Sequence, residues 1–179
     1  MLIDSQLVFA QNLSLAVANQ SVPSPSVIDL AGVGAGNAPP NYTGVSQGAP
    51  NRTFGEDIGI GDGVSPPKPL TVVGAAFAGA GATLQVLLQA SVDSGPNGAP
   101  PWSPDAWQTI DETPTMTAAQ LGAGAIVPTP AIAPRALAQG FPRFYRHLFV
   151  VAGTFTAGSI AFDGIVTGVD GAPIYPRGY

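Results

Sequence analysis

The stretch Arg143 to Val151 holds most of the large side chains in the second half of the chain: Phe144, Tyr145, Leu148, Phe149, Val150 and Val151. As a strand it would send successive side chains to opposite faces. One face would carry Tyr145, His147, Phe149 and Val151, and the other Phe144, Arg146, Leu148 and Val150. Both faces are apolar, so both need a cover. In a small all-β protein the domain's own core covers one face. A neighbouring subunit or binding partner is the expected cover of the other. A turn over Ala152 to Ser159 and a second strand, Ile160 to Gly168, complete an expected hairpin.

The rest of the chain reads as short strands separated by turn signals. Leu2 to Phe9 is a first strand, with Ile3, Leu7 and Phe9 on one face. Asn12 to Ser26 is polar and contains Pro23 and Pro25, which predicts an extended loop. Val27 to Leu30 is a short second strand. Ala31 to Pro69 is a long irregular stretch with few large apolar residues, and a loop of that length is usually functional or mobile. Leu70 to Phe77 is the next strand. Thr83 to Val92 alternates most cleanly, with Leu84, Val86, Leu88, Ala90 and Val92 on one face and Leu87 as the exception on the other.

Ala106 to Thr113 is a strand around Trp107 and Ile110, with Trp107 expected in the core. Thr117-Ala118-Ala119-Gln120 resembles a capping box and predicts one helical turn. Ala125 to Val127 and Ala131 to Ala136 are strand pieces that Pro128, Pro130 and Pro134 confine to sheet edges. Residues from about 169 form an extended tail in which Tyr175 and Tyr179 are candidate contact residues. The expected fold is all-β: one jelly-roll β-sandwich domain over residues 1–179, with about eight short strands and long Gly/Pro-rich loops, including the loop at about 31–69.

Composition narrows the function. Charged residues make up only 9% of the 179 residues, and hydrophobic residues 45%. Globular domains are nearer ~25% charged, so a surface this poor in charge is unusual for a free monomer. With net charge −5 and six Lys and Arg, no basic patch can be built, which argues against nucleic acid as a partner. The chain has no cysteine, hence no disulfide framework and no thiolate metal site. The N-terminus lacks the pattern of a signal peptide, and no run reaches the ~18 apolar residues of a membrane span.

The chemistry-bearing residues are few. His147 is the one histidine and falls in phase with Tyr145 and Phe149, which points to packing or an interface. A multi-histidine metal site is excluded, and a triad would need oriented partners. Glu56 and Glu112 are the two glutamates; Asp111 and Glu112 would point to opposite faces of a strand, unlike a glycosidase pair. Glu56, Asp57 and Asp62 lie on a Gly-punctuated turn without EF-hand spacing and read as a solvated turn. Gly32-Val33-Gly34-Ala35-Gly36 lacks the third glycine of a dinucleotide loop. Trp102 beside Asp105, with Trp107, Tyr42 and Phe54, is the candidate for a sugar-binding aromatic platform.

Several of these pieces, in order, resemble the capsid cement (decoration) proteins of tailed bacteriophages, of the Bordetella phage cement type. They are Met1-Leu2-Ile3-Asp4-Ser5-Gln6-Leu7-Val8-Phe9, then Val27-Ile28-Asp29-Leu30, then Gly59-Ile60-Gly61 leading into Leu70-Thr71-Val72-Val73. Thr83 to Asp93, Trp107 and Thr113 follow. Arg143-Phe144-Tyr145-Arg146 and Gly153-Thr154-Phe155-Thr156-Ala157-Gly158 carry the closest similarity. The departure is a longer stretch at Ala31 to Asn51. The resemblance implies a jelly roll, a homotrimer, and docking on the outside of a capsid across junctions of the major capsid protein. It carries over no catalytic residue, no cofactor and no metal, and implies neither a nucleic-acid nor a membrane partner. The residues expected at the trimer or shell interface are Phe144, Arg146, Leu148, Val150, Tyr175 and Tyr179. The alternative is a carbohydrate- or receptor-binding jelly-roll module on the virion surface.

Overall fold

The computed structural model describes residues 8–29, 68–92, 106–132, 142 and 144–165. The loop from 31 to 67, the tail from 169, and the Glu56, Asp57 and Asp62 turn lie outside them. Ten strands are described: β1 (Val8–Ser14), β2 (Ser21–Pro23), β3 (Ile28–Asp29), β4 (Leu70–Val73), β5 (Thr83–Ser91), β6 (Gln108–Glu112), β7 (Met116–Thr117), β8 (Ile126–Val127), β9 (Phe144–Ala152) and β10 (Ser159–Gly164). A single 3₁₀ turn, Ala118–Gln120, follows β7. As its sequence predicts, the Gln120 side chain reaches back and accepts the Thr117 N–H at 2.9 Å.

The strands form two antiparallel sheets. One runs β1-β10-β4-β8; the other runs β2-β9-β5-β6, with β3 also on β9 and β7 also on β5. Counting β2 with β3 and β6 with β7 as interrupted single strands leaves eight, in the orders 1-8-3-6 and 2-7-4-5. That is the strand order of a jelly roll. The sheets pack face to face, because the larger core cluster joins Val73 and Ile160 of one sheet to Leu84, Val86, Phe149 and Val151 of the other. A second cluster gathers Phe9, Ile28, Leu88, Ala90, Ile132, Tyr145 and Ile165.

Several boundaries differ from expectation. Within the described residues β1 continues to Ser14, because Gln11, Leu13 and Ser14 pair with β10 along an edge where their polar neighbours stay in water. Ser21–Pro23, expected as loop, forms a short edge strand against β9, and Pro23 ends it. β4 stops at Val73. A Cβ at Gly74 would stand 2.8 Å from the Ser159 hydroxyl oxygen, so the chain turns there through a glycine. Phe77 still reaches the core.

The main correction concerns the expected hairpin. β9 and β10 do not pair; they lie in opposite sheets. Each is central in its own sheet, β9 between β5 and the β2/β3 edge, β10 between β1 and β4. The link between them arches from one sheet to the other. Gly153 and Gly158 have φ of 79° and 143°, a backbone region open mainly to glycine. Asn19 holds the arch at one end, since its side-chain oxygen accepts the Gly153 N–H and its own N–H donates to the Gly153 carbonyl. Phe155 plugs the core edge-on to Phe77, with ring centroids 4.8 Å apart.

Gly158 lies against the Phe77 ring with no room for a Cβ. Gly158→Ala therefore combines backbone strain with overpacking, and is expected to cost about 3 kcal/mol in urea denaturation. A second test uses pH. Burial pushes the Tyr145 hydroxyl up to about 12, above its ordinary value of 10.0. The unfolded chain therefore ionises first. The stability tied to Tyr145 is complete below pH 10 and is lost as pH rises toward 12. Tyr145→Phe should flatten the fall in stability over that window.

Candidate functional site

Two constellations stand out, one inside the sandwich and one on its surface. The inner one is polar. His147 of β9, Asp163 of β10 and Thr71 of β4 are all fully buried. The Thr71 hydroxyl donates to Asp163 Oδ1 at 2.6 Å. His147 Nδ1 stands 2.8 Å from Asp163 Oδ2 and 3.0 Å from Oδ1. With the carboxylate as acceptor, Nδ1 carries the proton. Since β9 and β10 belong to different sheets, this contact crosses the sandwich. The imidazole sits at the seam of the two apolar clusters, 4.4 Å from the Phe9 ring and 6.3 Å from the Phe149 ring.

The cluster contains the residue types of a nucleophilic triad in the wrong order. The hydroxyl bonds the carboxylate and not the imidazole, so no base touches a nucleophile. No solvent reaches any of the three side chains. His147 Nε2 has no hydrogen-bond partner among the described residues. The sequence placed His147 in phase with the buried face of β9. It did not single out Asp163, whose signal is an acid between apolar neighbours in Phe162-Asp163-Gly164.

The outer constellation lies on the opposite face of β5 and β9. In register, Leu148 stands opposite Leu87, Val150 opposite Gln85, and Arg146 opposite Gln89. Pro23 of β2 extends the row beside Leu148, and Glu112 of β6 extends it beside Leu87. Arg146, Leu148, Val150 and Leu87 are half-buried, whereas Tyr145, His147, Phe149 and Val151 on the inner face are buried. The expected division of β9 into two faces holds for these residues. Phe144, expected on the outer face, is buried in the single chain at the end of β9, beside Asp29 of β3. Tyr175 and Tyr179 lie outside the described residues.

Arg146 is tightly placed. Its Nε donates to Gln89 Oε1 at 2.9 Å, and its guanidinium carbon lies 4.2 Å from the centroid of the Trp107 ring. Gln89 is oriented in turn by the hydroxyl of Thr109, 3.3 Å from its amide nitrogen. Burial lowers the guanidinium pKa from its ordinary value, though arginine stays protonated. Trp107 was expected in the core. It lies instead outside both apolar clusters, half-buried just before β6, with Arg146 over its ring. That ring face is therefore not open to a sugar. Trp102 and Asp105 lie outside the described residues.

Among the described residues no three metal-ligating side chains come together. This surface combines apolar side chains with an Arg–Trp pair. It is suited to contact. Comparison with protein families and with curated proteins gave no match.

The inner cluster gives a direct test of its role as a pin between sheets. Removing the centre leaves both partners unsatisfied, so Asp163→Ala should cost about 3–5 kcal/mol in urea denaturation. Thr71→Val removes only one neutral donor and should cost about 1–2 kcal/mol. Equal, small losses for both would mean that the cluster is not a pin.

Proposed function

We propose that this protein is a structural component of a virion: a homotrimeric cement that binds the outside of a phage capsid across shell-subunit junctions. The observation that carries the reading is the outer face of β5 and β9. It presents Leu87, Leu148 and Val150 in one row, with an ordered Arg146–Trp107 pair at its end. Aromatic and arginine anchors beside aliphatic side chains are the composition of protein–protein contacts. The scarcity of charge, 9% of the chain, favours the same reading.

A cement acts by mass action. A protein that binds the assembled shell and not its dissociated subunits shifts the equilibrium toward the shell. Many copies of a small sandwich can do this without catalysis or a cofactor. The likeness in sequence order to phage cement proteins supplies the specific partner, the major capsid protein. The described part of the fold is compatible with that partner through a jelly-roll strand order. Receptor or carbohydrate binding remains the alternative to test, and the covered Trp107 face weighs against it.

The test is twofold. Sedimentation of the purified protein should give three times 18.0 kDa, and the protein should co-sediment with the capsids of its own phage and raise their melting temperature. Leu148→Asp should weaken self-association by at least about a hundredfold, because it places a charge in an apolar contact. Its urea midpoint should match that of the wild type at dilutions where the trimer has dissociated, since Leu148 is only half-buried in the single chain. A monomeric wild-type protein that ignores capsids but binds glycans would reverse the reading.

A further inference from the structure

We propose that Asp111 closes the edge of β6 to strand pairing, and so keeps copies of this chain from joining their sheets edge to edge. This holds whether the protein is a trimer or a monomer. An edge strand presents backbone N–H and C=O groups in a row, a template for a strand of another chain. On β6 the direction of those groups follows from the register. The Thr113 N–H donates to the Val86 carbonyl, which makes Val86 and Thr113 a hydrogen-bonded pair. Leu87 and Glu112 come next along the ladder. Alternation makes them the pair whose backbone groups point away from each other. Those of Leu87 turn to Leu148 of β9. Those of Glu112 turn to the outer edge.

There the preceding side chain takes up the donor: Asp111 Oδ1 accepts the Glu112 N–H at 2.8 Å. Both residues are exposed, so water could satisfy that N–H without help. What the contact changes is the edge. It removes a donor that an incoming strand needs, and it sets a carboxylate where that strand's carbonyl oxygen would have to come. Just before it, the ladder steps from Leu88 opposite Asp111 to Gln89 opposite Thr109, a bulge at Ile110 that bends the strand. A second copy laid along β6 would also bring its own Asp111 and Glu112, adding like charge to the same edge.

The other edges among the described residues are obstructed by the backbone itself. On β2, the Ser24 N–H donates to the His147 carbonyl, and the Gln20 carbonyl accepts the Val151 N–H. The same alternation turns Ser21 and Pro23 outward, and proline has no N–H to offer. On β1, Asn12 has φ of 50°, which breaks the extended line of the strand. The Ser26 N–H takes up the Phe9 carbonyl of the same strand. β8 has two residues and runs directly into Pro128. On β6 alone does the obstruction depend on one exposed side chain, so it is there that a single substitution opens an edge.

The test compares three variants that change the charge equally. Asp111→Ala removes the acceptor, Asp111→Asn keeps an oxygen in its place, and Glu112→Gln leaves Asp111 untouched. Sedimentation velocity over a concentration series reads association beyond the wild-type species, whatever that species is. Asp111→Ala should associate at least about tenfold more tightly than either of the other two variants. Its Glu112 amide should become more protected from hydrogen exchange as concentration rises. In the wild type the same amide should exchange about fivefold or more slowly than in an unstructured chain. Circular dichroism melting shows whether each variant is folded, and the wild-type exchange rate decides the matter if Asp111→Ala is not. Equal association of all three variants would mean that charge alone keeps copies apart. An Asp111→Ala that sediments as the wild type does at every concentration would mean that the edge is closed without it. Either result overturns the proposal, as does a wild-type Glu112 amide that exchanges at the unstructured rate. The mass of the wild type tests the trimer reading separately and does not alter these outcomes.

Discussion

Nine cross-strand pairs join β5 to β9, from Thr83 opposite Ala152 to Ser91 opposite Phe144. Both halves of the molecule's chemistry hang on that ladder. Its inner face supplies Leu84, Val86, Leu88, Tyr145, Phe149 and Val151, which are essentially closed to solvent. Each such side chain contributes roughly 1.5–3 kcal/mol on burial. Its outer face supplies the Leu87, Leu148, Val150 and Arg146 row. Because the side-chain period of a strand is two, a slip of one residue would exchange these faces. On the other side of β5, Thr113 fixes the register with β6 and β7: its hydroxyl accepts the Val86 N–H at 2.9 Å, and its own N–H donates to the Val86 carbonyl.

The second sheet is tied to this ladder in two ways. Apolar contact is one, through Val73, Phe155 and Ile160 in the larger cluster. The polar crossing from His147 to Asp163 and Thr71 is the other. A buried carboxylate of this kind adds little to stability over an apolar replacement, but it tolerates only one arrangement of its partners. It therefore sets the two sheets in one relative position. The arch from Gly153 to Gly158, with Phe155 inserted beneath it, makes the covalent passage between the same sheets.

Much of the ladder was legible in the sequence. Thr83 to Val92 alternates so cleanly that both its extent and its buried face follow from the pattern, and β9 was placed within a residue at each end. The turn at Thr117 to Gln120 was legible from its capping residues. What the pattern could not say was pairing. Apolar strands joined by a short Gly-containing link satisfy the hairpin signal, yet β9 and β10 enter opposite sheets. Local sequence does not record that each needs two other neighbours. The His147–Asp163 contact was hidden for the same reason, since it follows from two strands facing each other across the core. Trp107 was misplaced because a large aromatic beside a strand suggests burial, and the guanidinium that shelters it lies thirty-nine residues away in sequence but only across the intervening strand β5 in the sheet.

If the outer face of β5 and β9 is an interface, it should be shielded in the native protein. The chain has no cysteine, so a single introduced thiol reports on one position alone. We would measure the alkylation rate of Leu148→Cys against that of Ala119→Cys, which lies on the exposed 3₁₀ turn, over a dilution series of the protein. The account predicts that the thiol at position 148 reacts slowly at high concentration and accelerates on dilution, while the thiol at position 119 reacts at one fast rate throughout. A thiol at position 148 that reacts at a concentration-independent rate close to that at position 119 would contradict it.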